Sequence, residues 1–377
     1  MSSGPRAARA GTGMSTYRQS GDKTVLTASQ SRRDSACHSP STAAVSTAFV
    51  ETSAMVANNT RPRRRCQRPG RILASVTPLQ RYLAEEIATD HIDGLLTRRE
   101  AMRRLGLFGL TTAAATALIA SCSEEPEEAS TPSPTSPDTA GSAPQPPGMA
   151  HTLPTQPITW PGPTSQLQAA LSQTADSKGA VLVIHENKGL NDWVRSVAGR
   201  LAGAGYSAMA IDLLSEQGGT GAFADPAQAT AALGAIAPEQ FVHDLNSAVA
   251  QLKLRAPGQK VAVVGFCFGG GLVWQLLASG ALGVSAAVPF YGPLPDNPDF
   301  IGSKAAVLGL YGALDTRVTG SQAAAKAALG RAGLVNEMVV EPNADHAFFN
   351  DTGPRYNAVA AADAWQRLLD WFGHYLT

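Results

Sequence analysis

The feature that most constrains this chain is a cysteine placed inside a glycine-rich turn. Residues 265–270 read Gly-Phe-Cys-Phe-Gly-Gly, after an apolar run at 261–264 and before a helix-like stretch at 271–277. A strand that turns into a helix through G-x-C-x-G is typical of a nucleophile elbow, in which glycines allow a tight bend and N–H groups of the helix start point at the reactive side chain. The pattern predicts that Cys267 is a nucleophile; a buried structural cysteine is the alternative.

Two residues follow this turn in the order carboxylate, then histidine, that is usual after such an elbow. Asp315 follows the apolar run 305–310, and His346 follows a short strand-like run at 338–341. Both are expected in loops at the carboxyl ends of parallel strands, where open α/β sheets place their ligands. A histidine can accept the thiol proton, and a carboxylate can fix its tautomer. Taken singly, a turn aspartate and an unrelated histidine are the alternatives.

A fourth motif follows the first predicted core strand. The apolar run 180–184 ends in His-Glu-Asn-Lys at 185–188. With this motif, the segment 155–377 resembles the dienelactone hydrolase family, a branch of the α/β-hydrolases. The elbow is similar to the family's Gly-aromatic-Cys-hydrophobic-Gly-Gly, Asp315 ends a Gly-x-x-Asp loop, and His346 stands just before an aromatic residue. The resemblance implies that these residues form a Cys-His-Asp triad.

The resemblance also implies a role for Glu186. In the family, a glutamate at this place interacts with the nucleophile and moves aside when substrate enters; an ion pair with Lys188 or a nearby arginine is the alternative for this chain. Attack on a carbonyl produces an oxyanion, which preset N–H donors stabilise. The backbone N–H groups of Phe268 and Asn187 are the candidates.

The sequence departs from the family at the substrate-binding arginines. Asn350 stands where one arginine is expected beyond the histidine, and residues 213–243 contain neither Lys nor Arg. A carboxylate that enters an apolar pocket without a cation is costly. We therefore expect a small neutral ester or lactone as substrate, unless Arg317 or Arg355 replaces the missing clamp.

Alternation of strand and helix patterns indicates the fold class. Apolar runs typical of strands lie at 181–184, 207–211, 261–264, 284–289, 305–310 and 337–340, and helical patterns lie at 193–203, 238–252, 323–331 and 356–375. This alternation predicts an α/β protein with a doubly wound, mostly parallel sheet, which is an α/β-hydrolase fold without a large lid domain. The pocket is expected to be shallow and open. Trp193, Tyr291 and Phe348 are candidates to line it, with simple core packing as the alternative.

No cofactor, metal or nucleic-acid site is predicted, because the histidines are scattered and the glycine stretch 218–221 lacks the lysine of a phosphate loop. The formal charge of zero conceals 17 Lys and Arg against 8 Asp and Glu through residue 121, and 13 against 22 after it. The sequence leaves the oligomeric state open.

The charge changes sign at a segment that looks like an export signal. Residues 97–104 carry a twin arginine, 105–120 are weakly apolar, and Ile-Ala-Ser-Cys at 119–122 resembles a bacterial lipobox. Lipidation of Cys122 would anchor the chain to a membrane of the bacterial cell envelope. A plain cleaved signal, an uncleaved anchor or a short helix with an accidental Arg-Arg are alternatives, and the protein would be cytoplasmic if the signal were not used.

These observations divide the chain into four parts. Residues 1–75 are predicted to be a disordered or wrongly assigned extension, with a true start near Val76, and 76–121 form the signal region. Residues 122–154 are a Pro/Ser/Glu-rich linker, and 155–377 form the hydrolase domain. The predicted function is hydrolysis of small esters or lactones through a thioacyl intermediate. A membrane-tethered binding protein without turnover and a peptidase-like serine hydrolase relative are the alternatives.

Overall fold

One eight-stranded sheet forms the centre of the molecule. The computed structural model describes residues 77–122, 145–280 and 283–377; the predicted extension 1–75 and most of the predicted linker lie outside the described residues. The strands are β1 (Gln156–Pro161), β2 (Gln166–Ser172), β3 (Ala180–Ile184), β4 (Ser207–Asp212), β5 (Val261–Phe266), β6 (Val284–Phe290), β7 (Ala306–Gly312) and β8 (Asn336–Glu341).

The strand order is β1-β2-β4-β3-β5-β6-β7-β8, and the six strands from β3 to β8 run parallel to one another. These are the six strands that the apolar runs predict. Strands β3, β4, β5 and β7 are buried along their whole length, which explains why their sequences are almost continuously apolar.

The first two strands are absent from the sequence-based expectation. Strand β1 pairs antiparallel with β2, and β2 pairs antiparallel with β4. Strand β1 contains two prolines and is mostly exposed, as suits the edge of a sheet, so it lacks the apolar run by which the inner strands are recognised.

Helices pack on both faces of the sheet. They are α4 (Asp192–Gly203), α5 (Pro226–Ala235), α6 (Pro238–Arg255), α7 (Phe268–Ala278), α8 (Thr316–Thr319), α9 (Gln322–Arg331) and α10 (Ala358–Tyr375), after three N-terminal helices α1 (Pro78–Ile92), α2 (Arg98–Leu107) and α3 (Thr112–Cys122). Because β4 and β5 lie on opposite sides of β3, right-handed crossovers place α4 and α6 on opposite faces. The doubly wound α/β class is confirmed.

The N-terminal helices pack against the rest of the chain. All belong to the compact unit Thr60–Thr377. Helix α1 begins with a capping box, in which the Thr77 hydroxyl accepts from the Gln80 N–H and the Gln80 side chain accepts from the Thr77 N–H. Its residues Leu79, Tyr82 and Leu83 join the main core, and its opposite side packs with α2 and α3 in a small second core.

Within the described ranges, no helix is both long and apolar enough to cross a membrane. The apolar stretch that the sequence analysis assigned to an export signal contributes helix α3, which has 11 residues. The chain also contacts the hydrolase domain ahead of the predicted boundary at 155, because Leu153 donates a backbone hydrogen bond to Gly199 of α4.

Candidate active site

Cys267 lies on a sharp turn between β5 and α7. It adopts φ 55° and ψ −118°, a backbone conformation that non-glycine residues rarely adopt. A Cβ atom at Gly265 would lie 2.2 Å from the carbonyl oxygen of Gly269, and one at Gly269 would lie 2.5 Å from that of His185. The two glycines are therefore required for the helix to begin this close to the strand, as the elbow motif predicts.

The loops after β7 and β8 bring a carboxylate to a histidine. Asp315 follows β7, His346 follows β8, and His346 Nδ1 lies 2.6 Å from Asp315 Oδ2. Both side chains are buried. Asp315 also caps the short helix α8, because its carboxylate accepts from the Val318 N–H at 3.3 Å. This double use of one carboxylate fixes its position and, through it, the orientation of the imidazole.

The structure brings Cys267 to the same place. Its sulfur, a ring nitrogen of His346 and a carboxylate oxygen of Glu86 all lie within 4.8 Å of one another. The three residues that the sequence analysis selected from separate motifs thus meet at the carboxyl edge of the sheet. Cys267 is only 4% exposed, so the nucleophile itself is covered in this structure.

Helix α1 covers the sulfur, and two of its residues contact the site. The Tyr82 hydroxyl lies 3.2 Å from Cys267 Sγ and 3.4 Å from His346 Nε2, and Glu86 Oε1 lies 3.5 Å from the same nitrogen. Arg317 pairs with Glu86 and stacks over the Tyr82 ring at 4.6 Å. Sequence reasoning missed Tyr82 and Glu86 because they lie outside the hydrolase motifs.

These neighbours set the protonation of the site. Burial raises the pKa of Cys267; His346 lowers it and the charge of Glu86 raises it again, with a net upward shift. Burial lowers the pKa of His346, but the carboxylates of Glu86 and Asp315 outweigh burial and raise it well above its ordinary value. The resting arrangement is therefore a neutral thiol beside a protonated imidazole.

Glu186 lies close by but does not hold the thiol through a hydrogen bond. Its carboxylate accepts from Asn350 Nδ2 at 2.8 Å and from the Tyr291 hydroxyl at 3.5 Å. Burial raises its pKa. No ion pair between Glu186 and Lys188 occurs among the described residues. The Tyr82 hydroxyl, which neither expectation included, contacts the thiol instead of Glu186.

A cavity of about 300 Å³ adjoins the sulfur. Its walls include Cys267, His346, Glu186, Asn187 and Asn350 from the sheet side; the α1 side contributes Glu86, Ile87 and Asp90. Asn187, one of the two candidate oxyanion donors, therefore lines the cavity, and Phe268, the other, is the first residue of α7.

The three aromatic residues expected to line the pocket are not among the residues that line this cavity. Trp193 donates to Asp351 at 2.8 Å and packs on Phe266. Phe348 is fully buried against Tyr291, whose own ring packs edge-on to His346. Trp193 and Phe348 are core residues, and Tyr291 supports the site from behind through His346 and Glu186.

The cluster of Glu86, Cys267 and His346 also offers a donor set that zinc uses in proteins. Arg317 binds the same Glu86 carboxylate, and Asp315 already orients the imidazole from its other side. A guanidinium at this carboxylate competes with any metal cation for it. The arrangement fits an ion-pair network better than a metal centre.

The two arginines that could replace the missing clamp both reach the site, but acids of α1 occupy them. Arg317 pairs with Glu86, and Arg355 contacts Asp90 and Asp93 at 2.8 Å each. Asn350, at the position expected for an arginine, is bound to Glu186 instead.

The mixed sheet, the elbow at Cys267 and the histidine–aspartate pair at the carboxyl edge define an α/β-hydrolase. Residues 167–376, more than half of the chain, match the model of the Dienelactone hydrolase family. The chain belongs to the dienelactone hydrolase family and is a hydrolase of that family.

Relatives agree with this assignment. A protein named "Putative carboxymethylenebutenolidase" from Methylorubrum extorquens is 36% identical over 209 residues, which cover 52% of this chain and 72% of that protein. One of the same name from Salmonella typhimurium is 35% identical over 232 residues, covering 57% and 85%. A solved structure titled "Putative Dienelactone Hydrolase", from Klebsiella pneumoniae, is 31% identical with a TM-score of 0.51, and the match covers 59% of this chain and 98% of that one.

Proposed function

We propose that this protein is a carboxylic ester hydrolase that cleaves small esters or lactones through Cys267, His346 and Asp315. The observation that carries the proposal is the 2.6 Å contact between His346 Nδ1 and Asp315, with the elbow sulfur within 4.8 Å of the imidazole. A nucleophile, a base and a group that orients the base are the three parts that acyl transfer requires.

The chemistry runs in two halves. In the reactive state His346 has lost the proton that it carries at rest. Its Nε2 then accepts the thiol proton, and the sulfur forms a bond to the carbonyl carbon. The bond to the leaving oxygen then breaks, that oxygen takes the proton from His346, and a thioester on Cys267 remains. Water, giving a proton to His346, attacks the thioester and restores the thiol as the acid leaves.

The N–H groups of Phe268 and Asn187 are proposed to stabilise the oxyanion that forms in each half. Phe268 begins α7, so its N–H belongs to the positive end of a helix, and Asn187 lines the cavity beside the sulfur. The loss of one such donor costs about 3 kcal/mol in other hydrolases.

We propose a small neutral ester or lactone as the substrate, because Asn350 stands at the position expected for a substrate-binding arginine and is bound to Glu186. While α1 is in place, Glu86 and Asp90 face the cavity, Arg317 and Arg355 are paired with acids of that helix, and Lys188 is the lysine on the cavity wall. A substrate carboxylate would meet negative charge there and would need a free cation to offset its desolvation.

The test is an assay of the full chain and its Cys267→Ala and Cys267→Ser variants on a neutral aryl ester and on a carboxylated lactone. We expect the Ala variant to lose turnover of the neutral ester by at least about 10³-fold, as for other covalent nucleophiles, and alkylation to inactivate the parent. Cys122→Ser, which leaves the site intact, is the matched control.

Each contrary result has a defined meaning. Undiminished turnover by Cys267→Ala would exclude the thiol mechanism, and a strong preference for the carboxylated lactone would exclude the neutral substrate. Absence of turnover on either compound, both in the parent chain and after cleavage between residues 122 and 145, would favour the binding protein on a hydrolase fold.

We also propose that the chain is exported and anchored through a lipid on Cys122. Arg98 and Arg99 are exposed at the start of α2, where a transport receptor could bind them, and α3 ends at Cys122. Expression in a bacterial host with radiolabelled palmitate should label the parent chain and not Cys122→Ser; equal labelling of the two would contradict the anchor.

A further inference from the structure

Helix α1 occupies the space that a substrate needs. A carbonyl group under attack must come within about 3–3.5 Å of the sulfur, with its leaving oxygen near the imidazole nitrogen. The Tyr82 hydroxyl already lies 3.2 Å from Cys267 Sγ and 3.4 Å from His346 Nε2. A substrate cannot take that position while Tyr82 remains there.

Acidic residues on α1 occupy the cations around the site. Glu86 pairs with Arg317, while Asp90 and Asp93 contact Arg355 at 2.8 Å each. The Arg317 guanidinium also stacks on the Tyr82 ring, so this one arginine holds both residues that approach the triad. The helix thus presents a hydroxyl to the nucleophile and carboxylates to the flanking arginines.

Apolar contacts hold the helix in this position. Leu79 and Leu83 are buried in the main core, while Ala84, Ile87 and Ala88 face the small core formed with α2 and α3. Helix α2 is in turn tied to α5, because Arg103 pairs with Asp225 at 2.8 Å. The contacts of α1 are therefore specific and buried.

We propose that α1 is an intramolecular inhibitor of the hydrolase site, held there by α2 and α3, and that turnover requires it to leave. The proposal rests on the proposed ester hydrolase function. It also gives the N-terminal region a role: the cleavage before Cys122 that the lipobox-like sequence predicts removes α1, and with it the contacts of Tyr82 and Glu86 with Cys267 and His346. The active form then begins after the inhibitory segment.

The test displaces α1 in the full chain by Leu79→Asp together with Leu83→Asp. Leu107→Asp, at an exposed position of α2, is the matched control. The primary measurement is the rate at which iodoacetamide alkylates Cys267, located by mass spectrometry of the digested chain. We expect this rate to rise at least about tenfold in the displaced variant, since reaction of a covered site is slowed by its open fraction, and turnover of a neutral ester to rise with it.

Equal alkylation rates in the displaced, control and parent chains would overturn the proposal. Faster alkylation with lower turnover would overturn it too, because α1 would then be a part of the active site that catalysis requires. Should the aspartate variant fail to fold, a specific protease site placed between 122 and 145 lets the intact chain fold first. Cutting it and removing the N-terminal fragment should give the same rise in alkylation.

The alkylation measurement needs no substrate, so it separates this proposal from the proposed function. Faster alkylation of the displaced variant, without turnover of any ester by any form of the chain, would support the covering of Cys267 by α1 and refute the hydrolase chemistry. Rapid turnover by the untouched parent with a fully accessible sulfur would support the hydrolase and refute the inhibitor.

Discussion

His346 is the residue whose surroundings decide whether the site is ready to react. Asp315 and Glu86 face it with carboxylates, Cys267 and Tyr82 face it with a thiol and a hydroxyl, and Arg317 adds a positive charge beyond Glu86. The raised pKa that results keeps the imidazole protonated, and a protonated imidazole cannot accept a proton from sulfur. Glu86 is thus proposed to act on the chemistry through His346.

Replacing Glu86 with glutamine should move the pH dependence of activity. The variant loses one of the charges that raise the pKa of His346, so the imidazole becomes neutral at lower pH. We expect the acidic limb of the kcat/KM profile to shift to lower pH. Glu239→Gln, on the exposed side of α6, should leave the limb where it is in the parent.

A change in the height of the profile without a change in its midpoint would contradict this prediction. It would mean that Glu86 acts only by seating α1. The raised pKa of His346 also determines how the contact between α1 and the site depends on pH. Because the pKa of His346 is raised, its attraction to Glu86 is complete below the ordinary histidine pKa and is lost as the pH rises through the raised value.

At the scale of elements, a buried ion pair ties the histidine loop to α4. Asp351 lies a few residues beyond His346 and accepts from Arg200 at 2.9 Å and from the Trp193 ring nitrogen at 2.8 Å. The Arg200 side chain is 1% exposed. The connection anchors the loop after β8 from beneath, so the position of the imidazole depends on a helix that contributes no atom to the site.

Breaking this pair should destabilise the whole fold. Arg200→Met leaves the Asp351 carboxylate buried without its cation, which costs about 3–5 kcal/mol in comparable cases. Arg367→Met removes an exposed pair with Asp363 and should cost less than about 1 kcal/mol. Urea denaturation followed by circular dichroism measures both, and similar losses in the two variants would show that burial of the first pair contributes nothing extra.

At the scale of the whole molecule, the sequence predicted the parts of the fold that follow from local patterns. The six parallel strands are continuous apolar runs, and the turn at Cys267 requires glycines that the motif displays. Strand β1 was missed because it lies at the edge and is mostly exposed, and β2 was missed because glutamines interrupt its apolar residues. Glu186 was placed beside the site, yet its partners Asn350 and Tyr291 come from other segments and could not be assigned from spacing.

The contact of α1 with the site could not be predicted for a physical reason. Tyr82 lies 185 residues from Cys267, and nothing local distinguishes it from any aromatic residue on an amphipathic helix. The segment that follows α1 resembles an export signal by its arginines at 98–99 and its apolar run at 105–120, and that resemblance describes how a receptor would recognise it. It carries no information about where the same residues pack in the folded chain.

The burial of Cys267 beneath α1 determines how fast oxidants can reach its sulfur. Peroxides attack the ionised sulfur, and an enclosed thiol with a raised pKa presents very little of that form. While Tyr82 rests on it, the sulfur should stay reduced through synthesis and storage, whereas a chain that has lost α1 faces sulfenic and sulfinic damage at the atom on which its proposed catalysis depends. The chain with α1 in place should therefore resist oxidation of Cys267, and the chain without α1 should lose activity as this sulfur is oxidised.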